Sequence, residues 1–212
     1  IPGLIYSKGN NEVFVNLYTS SHANINLKGK AVKVTQQTSY PWNGKIQMSV
    51  ESDAEITMKF RVPGWSRNEV LPSNLYSYTE TSKSQPILSI NGKKIETSIK
   101  DGYFNITRNW NLNDKIEIYF PMEVRTVKAN EKVKEDRGKL SLEYGPIVYA
   151  VEEVDNPKFD EISISSSDEF TVQKENILEG VNTITNNKLK AIPYYAWSNR
   201  GVNKMKVWIE KK

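Results

Sequence analysis

Apolar side chains return at every second position along much of this chain, and that period constrains the fold more than any other feature. Between Ile56 and Val62, the residues Ile56, Met58, Phe60 and Val62 alternate with Thr57, Lys59 and Arg61. Successive side chains of an extended strand point to opposite sides, so this spacing builds a strand with one buried face. Val13, Val15 and Leu17 repeat the pattern, as do Ile46, Met48 and Val50. Strand composition predicts further strands at 32–35, 87–90, 103–108, 115–120, 140–143, 147–151, 161–164, 189–192 and 205–209. Asn91-Gly92 and Asp101-Gly102 supply the positive φ values of tight hairpin turns between them. No long segment has helical periodicity. The fold class that follows is all-β, with two antiparallel β-sandwich modules of jelly-roll-like character.

A chain of 212 residues buries about 70% of the surface it exposes when unfolded, enough for one large sandwich or two small ones without disulfide or metal. A boundary is expected near Pro121-Met122, after the strand ending at Phe120. The charge-rich run Lys128–Gly138 reads as a surface loop or linker, and Leu71–Gln85 as a long loop before the strand at Ile87. The first module then covers residues 1–122 and the second 123–202. The final segment 203–212 is read as a candidate to return to the first module.

Chemistry is bounded mainly by what is scarce. There is no cysteine and a single histidine, His22, so thiolate chemistry and a Cys/His zinc site have no raw material. Lys and Arg are scattered without a basic block despite a net charge of +4, which argues against nucleic acid as a partner. No apolar run reaches the length of a membrane span, so no membrane partner is expected. The start Ile1-Pro2-Gly3, without an initiator Met, is expected to follow residues removed upstream.

Glycoside hydrolysis requires two carboxylates about 5–10 Å apart. Glu152 and Glu153 are neighbours on a strand and would point to opposite faces. Like Glu123 and Glu143, they read as solvated surface carboxylates. His22, with no partner pattern around it, reads as a loop residue. No residue is assigned a catalytic or metal-binding role. Trp42, Trp65 and Trp197 are the candidate carbohydrate-binding residues, because an exposed ring can stack on the C–H face of a sugar. Trp42 and Trp65 follow Pro41 and Pro63-Gly64 at strand corners, where large aromatics more often close the end of a core. Trp208 is placed to pack against a neighbouring domain. Asn105-Ile106-Thr107 matches a glycosylation sequon inside a predicted strand.

Eight segments, taken in order, resemble the C-terminal part of glycoside hydrolase family 127, the bacterial β-L-arabinofuranosidase group. They are EVFVNLY at 12–18, QTSYPW at 37–42, FRVPGWS at 60–66, SING at 89–92, DGY with ITRNW at 101–110, FPMEVR at 120–125, YGPIVY at 144–149 and IPYYAWSNRG at 192–201. The resemblance implies a parent with an N-terminal (α/α)6 barrel that holds the active site, followed by β-sandwich modules. It also implies a zinc-bound cysteine nucleophile in that barrel, with the zinc held by further Cys and a Glu. None of those positions lies in this chain, so no catalytic residue is carried over. Tyr144 stands where the family usually has Arg before Gly-Pro, and Asn113 where Gly commonly precedes Asp114.

The expected function is therefore support of a catalytic barrel, with a homodimer contact as a further expectation. A sheet face buried against the barrel would be apolar, and the chain alone would self-associate. The rival reading is a carbohydrate-binding module for arabinose-containing plant glycans. Export of such a parent to a bacterial periplasm, or secretion, fits a glycan-degrading enzyme.

Overall fold

A computed structural model describes residues 2–52, 54–112 and 114–212. Asn113, singled out above, lies outside the described residues. The chain forms two compact units, one of residues 1–67 with 84–121, the other of residues 68–83 with 122–212. The segment 71–85, read from sequence as a loop of the first module, thus goes largely to the second. Its strand Tyr76–Tyr78 pairs with Val124–Ala129, a partner far along the chain that no local pattern announces.

The first unit is a two-sheet sandwich. One sheet orders Tyr6–Lys8, Glu12–Val15, Glu55–Arg61, Tyr103–Asn109 and Ile99–Lys100. The other orders Ser21–Leu27, Lys30–Thr38, Lys45–Ser52, Lys115–Tyr119, Ile87–Ile90 and Lys93–Lys94. The alternation is realised in register. Ile56, Met58 and Phe60 are wholly buried, as are Val34, Ile46, Val50, Ile116 and Ile118 from the opposing sheet. Each such side chain contributes about 1.5–3 kcal/mol on leaving water, so the core needs no covalent staple. One pair departs from the antiparallel expectation, because Glu12–Val15 runs parallel to Glu55–Arg61. The chain between them crosses to the other sheet and lays down three strands before returning, which re-enters the first sheet in the same direction.

Both hairpin signals act as expected. Asn91 and Gly92 adopt φ of 53° and 76°, and Asp101 and Gly102 adopt 52° and 81°. Lys28 and Gly29 make a similar turn, at 51° and 92°, joining Lys30–Thr38 to a strand that the sequence reading missed. That strand, Ser21–Leu27, is an edge in which Ala23, Ile25 and Leu27 alternate with the exposed His22, Asn24 and Asn26, a period-two pattern that was overlooked because the apolar face is small and only Leu27 is buried.

The second unit pairs its strands as one ten-stranded network. Ile147–Glu152 changes partners along its length, pairing at Ile147 and Val148 with Lys139–Tyr144 and at Tyr149–Val151 with Lys190–Pro193. Passing one strand from one sheet to the next folds the network around a core of Leu140, Leu142, Tyr149, Val151, Ile184 and Ile209. The hairpin Thr171–Glu175 with Val181–Thr185 was also missed. The final segment does not join the first unit. Met205–Lys206 pairs with Ile147–Glu152, and Ile209–Lys211 pairs with Lys139–Tyr144, seating Ile209 in the second core.

Candidate functional site

The three tryptophans proposed for sugar stacking are placed in different environments. Trp65 sits in a short 3-10 turn, Gly64–Arg67, and is only 8% exposed. Its ring meets Phe120 edge-on at 6.1 Å, and its indole N–H donates to the Tyr40 hydroxyl at 3.0 Å. Tyr18 packs on both Tyr40 and Phe120, and burial raises the pKa of both phenols. Trp65 is thereby removed from the candidate stacking residues, because it closes one end of the first core and has no open face. Trp42, 49% exposed, and Trp197, 37% exposed, keep ring surface in solvent. Trp208 stacks on Tyr76 of its own unit, with ring centroids 5.4 Å apart.

The carboxylates arrange as structural groups. Glu152, read from sequence as a surface residue, has a fully buried side chain. It accepts the Ser198 N–H at 2.8 Å and the Asn203 amide at 3.3 Å, and it is paired with Arg200. Arg200 also donates to both oxygens of Asp155, at 3.0 and 2.6 Å, and Lys190 approaches Asp155 at 3.5 Å. Burial alone would raise the Glu152 pKa, but the Ser198, Arg200 and Asn203 donors hold it below the ordinary value. Asp155 is lowered in the same way, with Arg200 and Lys190 outweighing burial. A general acid in glycoside hydrolysis needs the opposite shift.

Glu143 does have a raised pKa, caused by burial and only partly offset by the Tyr78 hydroxyl, which donates at 2.8 Å, and by Arg125. It stands opposite Arg125 in strand register, and that guanidinium lies 3.3 Å from the centre of the Tyr78 ring. A shallow open depression of about 580 Å3 is lined by Glu123, Asp168 and Glu169 with Tyr144 and Phe170. Asp168 there is engaged by Lys188 at 2.7 Å, a bond that lowers its pKa. His22 lies on the edge strand, its Nδ1 3.1 Å from the Thr35 hydroxyl. Asn105 of the sequon donates to the Tyr103 carbonyl at 3.1 Å within its strand. Among the described residues, no three Asp, Glu or His side chains gather as a metal site. With no cysteine in the chain, its residues do not fit the zinc–cysteine centre implied above.

Comparison with known proteins completes this picture. Residues 12–122 match the profile described as the β-L-arabinofuranosidase GH127 middle domain, and residues 124–210 match the glycoside hydrolase family 127 C-terminal domain. This chain belongs to glycoside hydrolase family 127. A solved family 127 β-arabinofuranosidase superposes with a TM-score of 0.93 at 38% identity, over 100% of this chain and 36% of that one. A second, the family 127 β-L-arabinofuranosidase Ara127N from Geobacillus stearothermophilus T6, gives 0.83 at 32% identity, over 98% of this chain and 35% of that one. The non-reducing end β-L-arabinofuranosidase of Bifidobacterium longum subsp. longum is 26% identical, over 82% of this chain and 30% of its own length. The chain thus spans about a third of the length of the relatives it matches.

The family 127 segment ending in SNRG holds the ion network that sequence reasoning missed. A signal for it was present. Ile147–Val151 is a continuous apolar run, and such runs mark strands buried on both faces. Glu152 extends that run, so neither of its faces leads to solvent. Tyr144, at the departure from the family pattern, is half-buried against the second core.

Proposed function

We propose that this chain is the non-catalytic, C-terminal β-sandwich part of a family 127 glycosidase, where it supports a separate (α/α)6 barrel that carries the chemistry. The observation that carries this reading is the state of the acids. Glu152 and Asp155 are ionised and tied to Arg200, Asp168 is tied to Lys188, and Glu143 faces a cation. Glu152, Asp155 and Asp168 are held below their ordinary pKa by these donors, the opposite of what a general acid needs. The names of the relatives suggest β-L-arabinofuranosides as the substrates of the whole protein. A zinc centre belongs, in this reading, to the barrel.

The pure chain, incubated with an aryl β-L-arabinofuranoside with and without added zinc, is expected to release no aryl alcohol. Turnover proportional to chain concentration would overturn the proposal. Fused behind the barrel of a family 127 relative, the chain is expected to raise the barrel's melting temperature. An unchanged temperature would remove the supporting role.

A further inference from the structure

The outer face of the six-stranded sheet carries mostly polar side chains and is furrowed. Strand register decides which side chains share it. Gln37 stands opposite Gln47, Gln47 opposite Glu117, and Glu117 opposite Ser89, so one row crosses four strands. Two residues along, Lys45, Tyr119 and Ile87 form a second row, and in the other direction Thr35, Ser49 and Lys115 form a third. Period two sends all three rows outward while Ile46, Met48, Ile116 and Ile118 fill the core. A groove of about 670 Å3 lies over the first two rows. A depression of about 300 Å3 continues it over the third, sharing Gln37, Gln47 and Glu117. At roughly 3.3 Å per residue, the three rows run about 13 Å along the strands.

We propose that this groove binds a short, neutral oligosaccharide. Three observations favour that ligand class. The side chains of Gln37, Ser89 and Tyr119 form no hydrogen bond with other described residues, and the Gln47 amide makes only a 3.5 Å contact to Glu117. Amides and hydroxyls that both donate and accept match sugar hydroxyls, and in the groove no intramolecular bond has to be broken first. Tyr119 is 42% exposed beside the exposed Ile87, which gives an apolar patch for the C–H face of a sugar ring. Over the first two rows Lys45 is set against Glu117, and with Lys115 at the third row the groove carries one net positive charge, too little to make a phosphate or uronate the preferred ligand.

One end of the groove is already fixed. The Ser20 hydroxyl accepts from the Thr38 N–H at 3.1 Å, the Thr38 hydroxyl donates to the Lys45 carbonyl at 2.7 Å, and the Asn43 side chain accepts the Lys45 N–H at 2.9 Å. A wall held in this way costs little ordering on binding. The inference stands apart from the supporting role, since a groove on the sandwich needs no barrel.

The test is calorimetric and NMR titration of the chain with neutral arabino-, xylo- and galacto-oligosaccharides and with oligogalacturonate. At least one neutral series is expected to bind. Tyr119→Ala and Gln47→Ala should each weaken that binding tenfold or more, with melting temperatures unchanged, while Val202→Ser at an exposed position of the other unit leaves it intact. Absence of binding across the panel at millimolar sugar overturns the proposal. So does tighter binding of the acidic series, or loss with Val202→Ser while Tyr119→Ala is silent. Hydrolysis assays do not bear on this result, so its failure is separable from that of the supporting role.

Discussion

Replacing Arg200 with Met tests the buried ion network more sharply than any other change. The guanidinium joins three of the hydrogen bonds that hold the segment after Trp197 to the second core, one to Glu152 and two to Asp155. The largest consequence of its loss is not the bonds themselves but the charge left behind. Glu152 has no solvent contact, and only the Ser198 N–H and the Asn203 amide would remain to it. Removing one partner of a buried pair costs about 3–5 kcal/mol. For a unit of about a hundred residues, with about 4 °C per kcal/mol, that is a fall of about 12–20 °C in melting temperature. Urea unfolding followed by circular dichroism should show the loss as a lower midpoint at constant slope.

The pH dependence follows with a definite sign. Glu152 and Asp155 have depressed pKa values when folded, so their stabilisation is present above the ordinary carboxylate range and is lost as pH falls through the folded values. Without Arg200, burial acts on Glu152 with less opposition, and the acid limb of its curve moves to higher pH. Glu152→Gln in the same background should recover part of the loss, because the stranded charge is gone. A destabilisation below about 1 kcal/mol, or strictly additive effects in the double variant, would refute the reasoning.

Three further outcomes are expected. Trp65→Ala should cost about 3–5 kcal/mol by emptying the corner between Phe120 and Tyr40, whereas Trp42→Ala should stay within about 1 kcal/mol; equal effects in chemical denaturation would contradict the burial argument. Gly44→Ala should destabilise by about 1–3 kcal/mol or more, since a Cβ there would lie 1.9 Å from the Phe120 carbonyl oxygen, and a wild-type midpoint would show that this approach is not tight. Glu143→Gln should remove a dependence of opposite sign to that of Glu152. The raised pKa of Glu143 means that wild-type stability falls as pH rises between the ordinary glutamate value and the folded one, and a variant curve parallel to wild type would count against it.

Much of the fold was legible because a half-buried strand writes its period into the sequence. Ile56–Val62 and Ile46–Val50 each announce their buried face by alternation, and Asn91-Gly92 and Asp101-Gly102 announce their turns by residue type. Thr171–Glu175, with one apolar residue, was not legible because it lacks apolar contrast, whereas Ser21–Leu27 carried a weak Ala23, Ile25, Leu27 alternation that was overlooked. Nor was the assignment of Tyr76–Tyr78 to the second unit, which rests on a partner some fifty residues away.

The candidate residues divide along the same line. The preceding Pro41 and Pro63-Gly64 placed Trp42 and Trp65 at corners, but only packing decided that one side chain is half exposed and the other lies in the core. The apolar run before Glu152 signalled that its carboxylate is buried, but its pairing with Arg200 and the row Gln37–Gln47–Glu117–Ser89 were not legible, for a common reason. Sequence alone determined that this chain is built of strands and holds no reactive sulfur, because period and composition are local properties. Which charges are buried together and which polar side chains share a face was decided by tertiary structure, since strand register joins residues that no local interaction relates.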